Sequence, residues 1–228
     1  MPKFDTPAPV TARIDIPAGR IQLIAADRTD TTVEVLPADP AKSRDTKAAE
    51  RIDVTYDAGV LRITAREPAH RALGNPGSVE ITVQLPAGSH LKATTALTEL
   101  RGVGRLGHVT LDAAQATVKL DETDEARLTL KAGDITVGRL TGPADLSTHK
   151  GDLTVTDAHR GALTLRTQHG RISVTAARGT SATLDAHTAY GRTHNALTNT
   201  DGTAAGLTIH ASTGYGDIDA RSLQGSAP

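Results

Sequence analysis

Apolar and polar residues alternate along most of the chain, and the alternating stretches are separated by glycine at regular intervals. The phrase Gly-Asp-Ile-Thr-Val at residues 133–137 returns as Gly-Asp-Leu-Thr-Val at 151–155 and as Gly-Arg-Ile-Ser-Val at 170–174. The copies are marked by Ala96, Ala116, Gly133, Gly151, Gly170, Gly191 and Gly216. Successive markers lie 17 to 25 residues apart, and a near-constant period of about 20 residues is typical of proteins that stack similar turns.

Each copy is predicted to contain two strands joined at the glycine. Alternate residues of a strand point to opposite faces, so an apolar residue at every second position gives one buried face. Frequent Thr and Val, one glycine per copy and the lack of a stripe at helical spacing disfavour helices. The residues that define this structural repeat are Gly133, Asp134, Ile135, Val137, Gly151, Asp152, Leu153, Val155, Gly170, Ile172, Val174, Gly191, Gly216 and Ile218.

One copy cannot bury its apolar face alone, and the copies are therefore expected to stack. Stacking places each strand beside the matching strand of the next copy, at roughly 4.8 Å. The predicted fold class is all-β: a single-stranded parallel β-solenoid (β-helix) of about seven rungs. Ile135, Leu153 and Ile172 should then share one interior column. The Asp or Arg that follows each glycine should point outward and contact backbone groups or a neighbouring rung.

The N-terminal part of the chain is predicted to form a β layer that caps the solenoid. Alternating stretches at 10–16 and 20–25 flank a Pro-Ala-Gly turn, and those at 51–56 and 60–65 indicate a hairpin around Asp57–Gly59. A cap is needed because an open solenoid end exposes apolar side chains and unpaired strand edges.

Domain boundaries follow from this division. Residues 1–90 are predicted to form the antiparallel cap, 91–222 the solenoid repeats and 223–228 a tail, with one continuous domain as the alternative. Stretches rich in proline, glycine and charge, at 38–50 and 67–77, are predicted to be exposed loops, and the first of them has room for one helical turn.

The strand end Val-Gln-Leu-Pro-Ala-Gly-Ser at 83–89, followed by serial Gly-Asp-Ile-Thr-Val copies, resembles the bacterial putative-adhesin family. The resemblance covers roughly residues 10–220. It implies a β-solenoid made of β-strand repeats and no established enzymatic activity. Many members also carry a membrane anchor, and no such segment is expected here.

Composition excludes classes of function rather than naming one. The chain is 38% hydrophobic and 22% charged, which is typical of a folded domain, and its net charge of −1 gives no field that would attract nucleic acid or an anionic membrane. It has one Phe, three Tyr and no Trp. So few aromatic residues argue against the stacking platforms of single-strand nucleic-acid binders and weaken a sugar-binding interpretation.

Three sequence features bear on location. With no cysteine there is no disulfide framework and no thiolate chemistry. The N-terminal residues lack the basic and then apolar segments of a secretory signal, and no apolar run approaches the length of about 18 residues that a membrane span needs. We therefore expect a cytoplasmic protein without direct membrane insertion.

Nine histidines raise the question of a metal site. His149 and His169 lie on adjacent rungs but in unmatched columns, and no cysteine or carboxylate completes a ligand set for zinc. Asp134 and Asp152 share a column, which would suit calcium. The repeated calcium-binding phrase with two glycines and an aspartate is absent, so a structural ladder is the simpler interpretation. No metal and no cofactor is predicted.

A locally basic stretch is the candidate surface for a partner. Its members are Arg166, His169, Arg171, His187, Arg192 and His194. They would suit an acidic partner or a phosphate group. Because alternation divides these side chains between inward and outward positions, we expect only a subset to act together.

Catalytic residues are not predicted. Four carboxylates cluster at 121–125 without a base fixed opposite them, and no phosphate loop or nucleophile elbow occurs. We therefore expect a non-enzymatic β-solenoid scaffold that binds another protein or a polymer through its flat faces. Two alternatives stay open: a carbohydrate-active, pectin-lyase-like β-helix enzyme, and a structural protein that self-assembles through an end or edge into homo-oligomers.

Overall fold

The computed structural model describes residues 1–66 and 77–223 of the chain. The strands are β1 (Lys3–Asp5), β2 (Thr11–Ala26), β3 (Asp30–Pro37), β4 (Ile52–Asp57), β5 (Val60–Ala65), β6 (Val79–Pro86), β7 (His90–Ala132), β8 (Ile135–Leu140), β9 (Ala144–Lys150), β10 (Leu153–Ala158), β11 (Gly161–His169), β12 (Ile172–Ala176), β13 (Ala182–Tyr190), β14 (Thr193–Ala196), β15 (Leu207–Tyr215) and β16 (Ile218–Ser222). The helices are α1 (Ser43–Glu50) and the short 3₁₀ helix Gly202–Ala204. The predicted all-β class is therefore confirmed. The loop predicted at 67–77 and the tail predicted at 223–228 lie, apart from Gly77 and Leu223, outside the described residues.

The chain divides into two compact units, residues 1–117 and residues 118–228. Strand β7 contributes residues 90–117 to the first unit and residues 118–132 to the second. The boundary that we predicted near residue 90 stays a prediction.

In the first unit, β2 has parallel neighbours on both sides. Its residues pair in register with β7, as in Ile14 with Ala93 and Ile21 with Leu100. On its other side, the first half of β2 pairs with β5 and the second half with β6, again in parallel. The side chains of Ile14 and Ile21 are buried and belong to the core of this unit.

Antiparallel pairing in the described part of this unit joins β1 with β3, β3 with β6, and β4 with β5. The hairpin predicted around Asp57–Gly59 is confirmed, with left-handed φ values of 46° at Ala58 and 79° at Gly59. The antiparallel layer predicted for residues 1–90 is wrong for the pairing of β2 with β5 and β6. Alternation identifies the buried face of a strand, but it does not encode the direction of the strand beside it.

The turn predicted at Pro17-Ala18-Gly19 is a bend inside the continuous strand β2. Buried side chains alternate up to Ala18 and resume at Ile21, so Gly19 and Arg20 together shift the phase by one residue. A Cβ atom on Gly19 would lie 2.3 Å from the carbonyl oxygen of Val79. Glycine therefore permits the close approach of β6 at this bend.

Residues 38–50, predicted to be a loop, contain the helix α1. Asp45 in its first turn is buried, and its Oδ1 accepts a hydrogen bond from the backbone N–H of Ser78 at 3.1 Å. This bond ties the helix to the start of β6. In the part of the chain that the structure describes, no helix is both long enough and apolar enough to cross a membrane.

The second unit consists of parallel strands in two rows. Side A is the row β7–β9–β11–β15–β13, and side B is the row β7–β8–β10–β12–β16–β14. On side B, Ile135, Leu153 and Ile172 pair in one buried interior column, as predicted. The column continues through Ile218 to Thr193. Each of the last repeats thus contributes one strand to each side.

The last two repeats stack in the reverse of their order in the chain. Strand β15 pairs with β11 on one side and β13 on the other, and β16 likewise lies between β12 and β14. The final repeat, residues 207–222, is thus inserted between residues 161–176 and residues 182–196. Our expectation that successive copies stack in chain order is wrong at this end of the unit.

Side-chain polarity gives a reason for this order. The inserted repeat carries apolar inward residues, such as Ile209 and Ile218, which are fully buried. On side B, the edge repeat places Thr193 beside Ile218 and Asn195 beside Ala220, and both are exposed, whereas on side A it places Leu184 beside Ile209. Covering the apolar repeat on both sides gains about 25 cal/mol for each Å² of apolar surface removed from water. A polar terminal repeat keeps the open end soluble.

The corner glycines of the second unit stack directly on one another. A Cβ atom on Gly151 would lie 2.1 Å from the carbonyl oxygen of Gly133, and one on Gly170 would lie 1.9 Å from that of Gly151. Gly216 stacks in the same way on Gly170, and Gly191 on Gly216, each with a separation of 2.0 Å. Gly151 and Gly216 also have φ values of +145° and +148°, which residues with a side chain rarely adopt. The corner therefore requires glycine.

The glycine carbonyl oxygens also accept hydrogen bonds from inward threonines of the next rung. Oγ1 of Thr167 donates to the carbonyl oxygen of Gly151 at 3.1 Å, and Oγ1 of Thr213 donates to that of Gly170 at 3.0 Å. Both threonines are buried, and a buried hydroxyl needs such a partner. This explains why threonine interrupts an otherwise apolar interior column.

Replacing Gly170 with alanine tests the glycine stack. The new Cβ atom would overlap the carbonyl oxygen of Gly151, so we expect Gly170→Ala to lower the free energy of unfolding by about 3 kcal/mol or more. Gly206→Ala is the matched control, because no atom beyond its chain neighbours lies within 4 Å of the Cβ position there. It should change stability by less than about 0.5 kcal/mol. Urea denaturation measures both, and equal stability of the two variants would contradict the stack.

The reversed order of the last repeats can be tested by disulfide formation, since the chain has no cysteine. Arg166 and Ser212 pair in adjacent strands, so cysteines at these positions lie within disulfide reach. Arg166 and His187 are separated by β15 and therefore lie about 9.6 Å apart, beyond that reach. We expect R166C/S212C to form an intramolecular disulfide and R166C/H187C to keep free thiols, as measured by alkylation and mass spectrometry. Cross-linking of the second pair alone would indicate stacking in chain order.

Candidate functional site

The outer corner of side B is held together by hydrogen bonds between rungs. Oδ1 of Asp134 accepts from the backbone N–H of Asp152 at 2.8 Å, and Oδ1 of Asp152 accepts from that of Arg171 at 2.7 Å. Oδ1 of Asp217 accepts in the same way from the N–H of Arg192 at 2.8 Å. The predicted contact with a neighbouring rung is confirmed for the aspartates that follow a repeat glycine, and these hydrogen bonds join a carboxylate to the backbone.

The two carboxylates considered for calcium, those of Asp134 and Asp152, thus act as acceptors for the backbone. In the described residues, no group of three or more His, Cys, Asp or Glu side chains is placed to hold a metal ion. Neither the calcium nor the zinc hypothesis therefore acquires a ligand set from these residues.

The structure separates the basic residues of the predicted partner surface. Arg166 and His187 lie on side A, in β11 and β13. Arg171, Arg192 and His194 lie on side B or at the corner leading into it, and all three line one groove. All six side chains are exposed, so the division between inward and outward positions that we expected is wrong, and the six are divided instead between the two sides of the unit.

The groove on side B has a volume of about 630 Å³. Its charged and titratable lining residues are Arg171, Arg192, His194, Asp217, Asp219 and Arg221. Register brings these side chains together, because β16 lies between β12 and β14. In the inserted repeat, Asp217 therefore lies between Arg171 and Arg192, and Asp219 lies between Ser173 and His194.

The charges in this groove are only partly paired. Nη2 of Arg192 lies 3.8 Å from Oδ2 of Asp217. Among residues 1–66 and 77–223, the guanidinium of Arg171 and the carboxylate of Asp219 take part in no ion pair. Three arginines against two aspartates leave one excess positive charge while His194 is neutral. The groove thus offers both cationic donors and anionic acceptors to a ligand.

Three aromatic rings stack along the corner beside this groove, and we call them the aromatic ladder: His169, Tyr215 and Tyr190. The ring centroids of Tyr190 and Tyr215 are 4.8 Å apart with an interplanar angle of 5°, and those of His169 and Tyr215 are 4.9 Å apart at 8°. Tyr190 and Tyr215 are 67% and 53% exposed. The ladder follows the spatial order of the rungs, so Tyr190 stands at its outer end.

Sequence reasoning does not single out Tyr190 and Tyr215. The low count of aromatic residues argued against stacking surfaces, but two of the three tyrosines lie in one ladder. The argument from composition therefore does not hold for this corner. The positions of these two residues could have identified them, because Tyr190 and Tyr215 each directly precede a repeat glycine, as His169 does.

The carboxylate cluster at 121–125 is tied to neighbouring rungs. Nη1 of Arg139 lies 3.9 Å from Oε2 of Glu122. Oγ1 of Thr141 donates a hydrogen bond to Oδ1 of Asp124 at 2.8 Å. These contacts are structural bonds between rungs, and they leave Glu122 and Asp124 engaged rather than presented to a substrate.

Asp157 receives the other bond from Arg139. Nε of Arg139 donates to its Oδ2 at 2.9 Å, and Nε2 of His159 lies 3.2 Å from the same oxygen. Burial opposes ionisation of Asp157, but the hydrogen bonds from Arg139 and His159 outweigh it and hold its pKa below the usual value. A general acid near neutral pH requires the opposite shift.

Comparison with known proteins finds one family match that extends over most of the chain. A family model described as Toastrack DUF4097 matches residues 14–226. A comparison with curated proteins finds no match.

Several solved structures are similar over nearly the full length. A putative adhesin from Parabacteroides merdae is 10% identical with a TM-score of 0.43, covering 98% of this chain and 95% of that one. A putative cell adhesion protein from Clostridium sporogenes is 9% identical with a TM-score of 0.42, covering 97% and 98%. A putative adhesin from Bacteroides fragilis is 14% identical with a TM-score of 0.38, covering 96% and 95%. Likeness at this level carries no conclusion about function.

Two substitutions of Asp152 distinguish the contribution of its hydrogen-bond acceptor to stability from the contribution of its negative charge. Asp152→Asn keeps a side-chain oxygen for the N–H of Arg171, whereas Asp152→Ala removes it. We expect the alanine variant to lose about 1 kcal/mol of unfolding free energy and the asparagine variant to stay within about 0.5 kcal/mol of the wild type. Urea denaturation at neutral pH compares them. Equal losses in the two variants would assign the effect to the charge of Asp152. No loss in either variant would show that its hydrogen bond to the backbone does not stabilise the unit.

Proposed function

The chain belongs to the Toastrack DUF4097 family, whose model matches residues 14–226, and from this premise we propose that it is a non-enzymatic binding scaffold. Its partner in this proposal is a polymer or another protein, held against the outward side chains of the second unit. The parallel register of this unit is the observation that carries the proposal.

Register aligns the outward side chains of successive rungs at intervals of roughly 4.8 Å. One such column on side B runs through Thr136, Thr154, Ser173, Asp219 and His194. Polar side chains at equal spacing on a rigid face match a partner that repeats along its own length. A polymer is therefore the favoured partner.

The same proposal takes the repeats as a single-stranded parallel β-solenoid. Parallel pairing within each unit supports this fold, as between β2 and β7 in the first and between β11 and β15 in the second. The count of about seven rungs stays a prediction.

Charge pairing favours a scaffold over a carbohydrate-active enzyme. A lyase or hydrolase needs a carboxylate or a base held ready for proton transfer to its substrate. Glu122, Asp124 and Asp157 are instead engaged by residues of neighbouring rungs, and the pKa of Asp157 lies below its usual value because of the bonds from Arg139 and His159.

Retention on polymers tests the proposal. We expect the full chain to be retained by at least one member of a panel of cellulose, chitin, peptidoglycan, polyuronate and gelatin. Assays of reducing ends, unsaturated sugar products and free amino groups should find the polymer intact after incubation, because a scaffold holds its partner without cleaving it. Retention by no member of the panel, or release of new chain ends, would count against a non-enzymatic scaffold.

Paired variants locate the binding face. R171A/R192A removes charge from side B, and R166A/H187A removes charge from side A, with two exposed residues changed in each. Loss of retention in one variant alone would assign binding to that side of the second unit.

A further inference from the structure

One face of the Tyr190 ring is open. Tyr215 covers the inner face, at a centroid distance of 4.8 Å. Among the described strands, β13 pairs only with β15, so no further rung in residues 77–223 covers the outer face, and Tyr190 is 67% exposed. A tyrosine that is held flat by its neighbour and keeps one free face is a preformed stacking platform.

The groove on side B begins two residues beyond this ring. Arg192 follows Tyr190 across the corner glycine, and His194 follows in β14. Asp217 and Asp219 occupy the matching positions of the adjacent repeat. A ligand stacked on Tyr190 therefore has Arg192 of the same repeat beside it, and a ligand of several units extends from there to the carboxylates of the adjacent repeat.

These charges select the class of ligand. A guanidinium presents a planar fork of donors that fits a carboxylate or a phosphate. The carboxylates of Asp217 and Asp219 accept hydrogen bonds from hydroxyl groups and repel closely spaced anions. A nucleic-acid strand would bring one phosphate for each base against these aspartates. A polyuronate also brings one carboxylate for each residue, but every residue adds hydroxyl donors that these aspartates can accept and an apolar ring face that stacks on Tyr190.

We propose that Tyr190 and the adjoining groove bind a uronic-acid residue of an acidic polysaccharide. The C–H face of one sugar ring stacks on the open face of Tyr190, Arg192 receives the carboxylate of that sugar, and a neighbouring sugar of the same chain lies in the groove and donates a hydroxyl hydrogen to Asp219. This site rests on the proposed scaffold function and gives the scaffold a ligand class.

Affinity for defined oligosaccharides tests the site in the full chain. Isothermal titration calorimetry with oligogalacturonate, oligomannuronate and hyaluronate oligosaccharides should detect binding of at least one of the three. Neutral galacto-oligosaccharides of the same length should bind at least about tenfold more weakly, because they lack the carboxylate. Tyrosine emission gives a second readout, since the chain has three tyrosines and no tryptophan.

Variants separate stacking from charge. Tyr190→Ala should lower the affinity at least about tenfold, whereas Tyr190→Phe keeps the ring and should stay within about threefold of the wild type. Arg192→Gln should abolish the preference for acidic over neutral oligosaccharides. His187→Ala on side A is the matched control and should bind as the wild type does. Tyr190→Phe, Arg192→Gln and His187→Ala should keep the wild-type unfolding midpoint, whereas Tyr190→Ala also loses the stacking on Tyr215 and should unfold slightly earlier while remaining folded at the temperature of the titration.

Unchanged affinity in Tyr190→Ala would overturn the site, as would tighter binding of a single-stranded oligonucleotide than of any oligouronate. Retention on a polymer of the panel, combined with no binding of the three oligouronates, would overturn the site and leave the scaffold standing. Absence of binding to every polymer and oligosaccharide would overturn both.

Discussion

The contact between corner glycines is the constraint on which the second unit depends. The carbonyl oxygen of one glycine fills the space that a side chain on the next would need, as between Gly151 and Gly170. This close approach keeps the strands on either side of the corner in register. Register in turn converts single residues into columns, apolar inside and polar outside. The aromatic ladder and the groove on side B exist because equivalent residues of different repeats are held one above another.

Polar groups support this contact from both faces of the backbone. Inside the unit, Thr213 donates to the carbonyl oxygen of Gly170, and outside it, Asp217 accepts the N–H of Arg192. Each bond joins two rungs, so the groups that a tight corner would leave without partners bind to the neighbouring copy. The repeat phrase therefore combines a steric requirement for glycine with two hydrogen-bond requirements, one for threonine and one for aspartate.

Much of this could be predicted from the sequence, and the resemblance to putative-adhesin proteins is confirmed. The interior column of Ile135, Leu153 and Ile172 follows from two periods, one of two residues and one of about 20. The order of the last repeats does not follow, because copies with the same corner can stack on one another in any order. Only the polarity of Thr193 against that of Ile218 distinguishes them. The aromatic ladder could not be predicted from the composition either, because the number of tyrosines does not say where in the repeats they lie.

The inserted final repeat has a consequence for biosynthesis. A polypeptide is made from its N-terminus, so β13 and β14 leave the ribosome before the strands on which they finally rest. Until residues 207–222 follow, the nascent chain lacks the neighbour that covers the apolar edge of β11 and β12. A product released early, by a premature stop codon or a stalled ribosome, keeps that edge open to chaperones and proteases. Synthesis of residues 207–222 is therefore a condition for closing this unit, although the strands that they cover are made earlier.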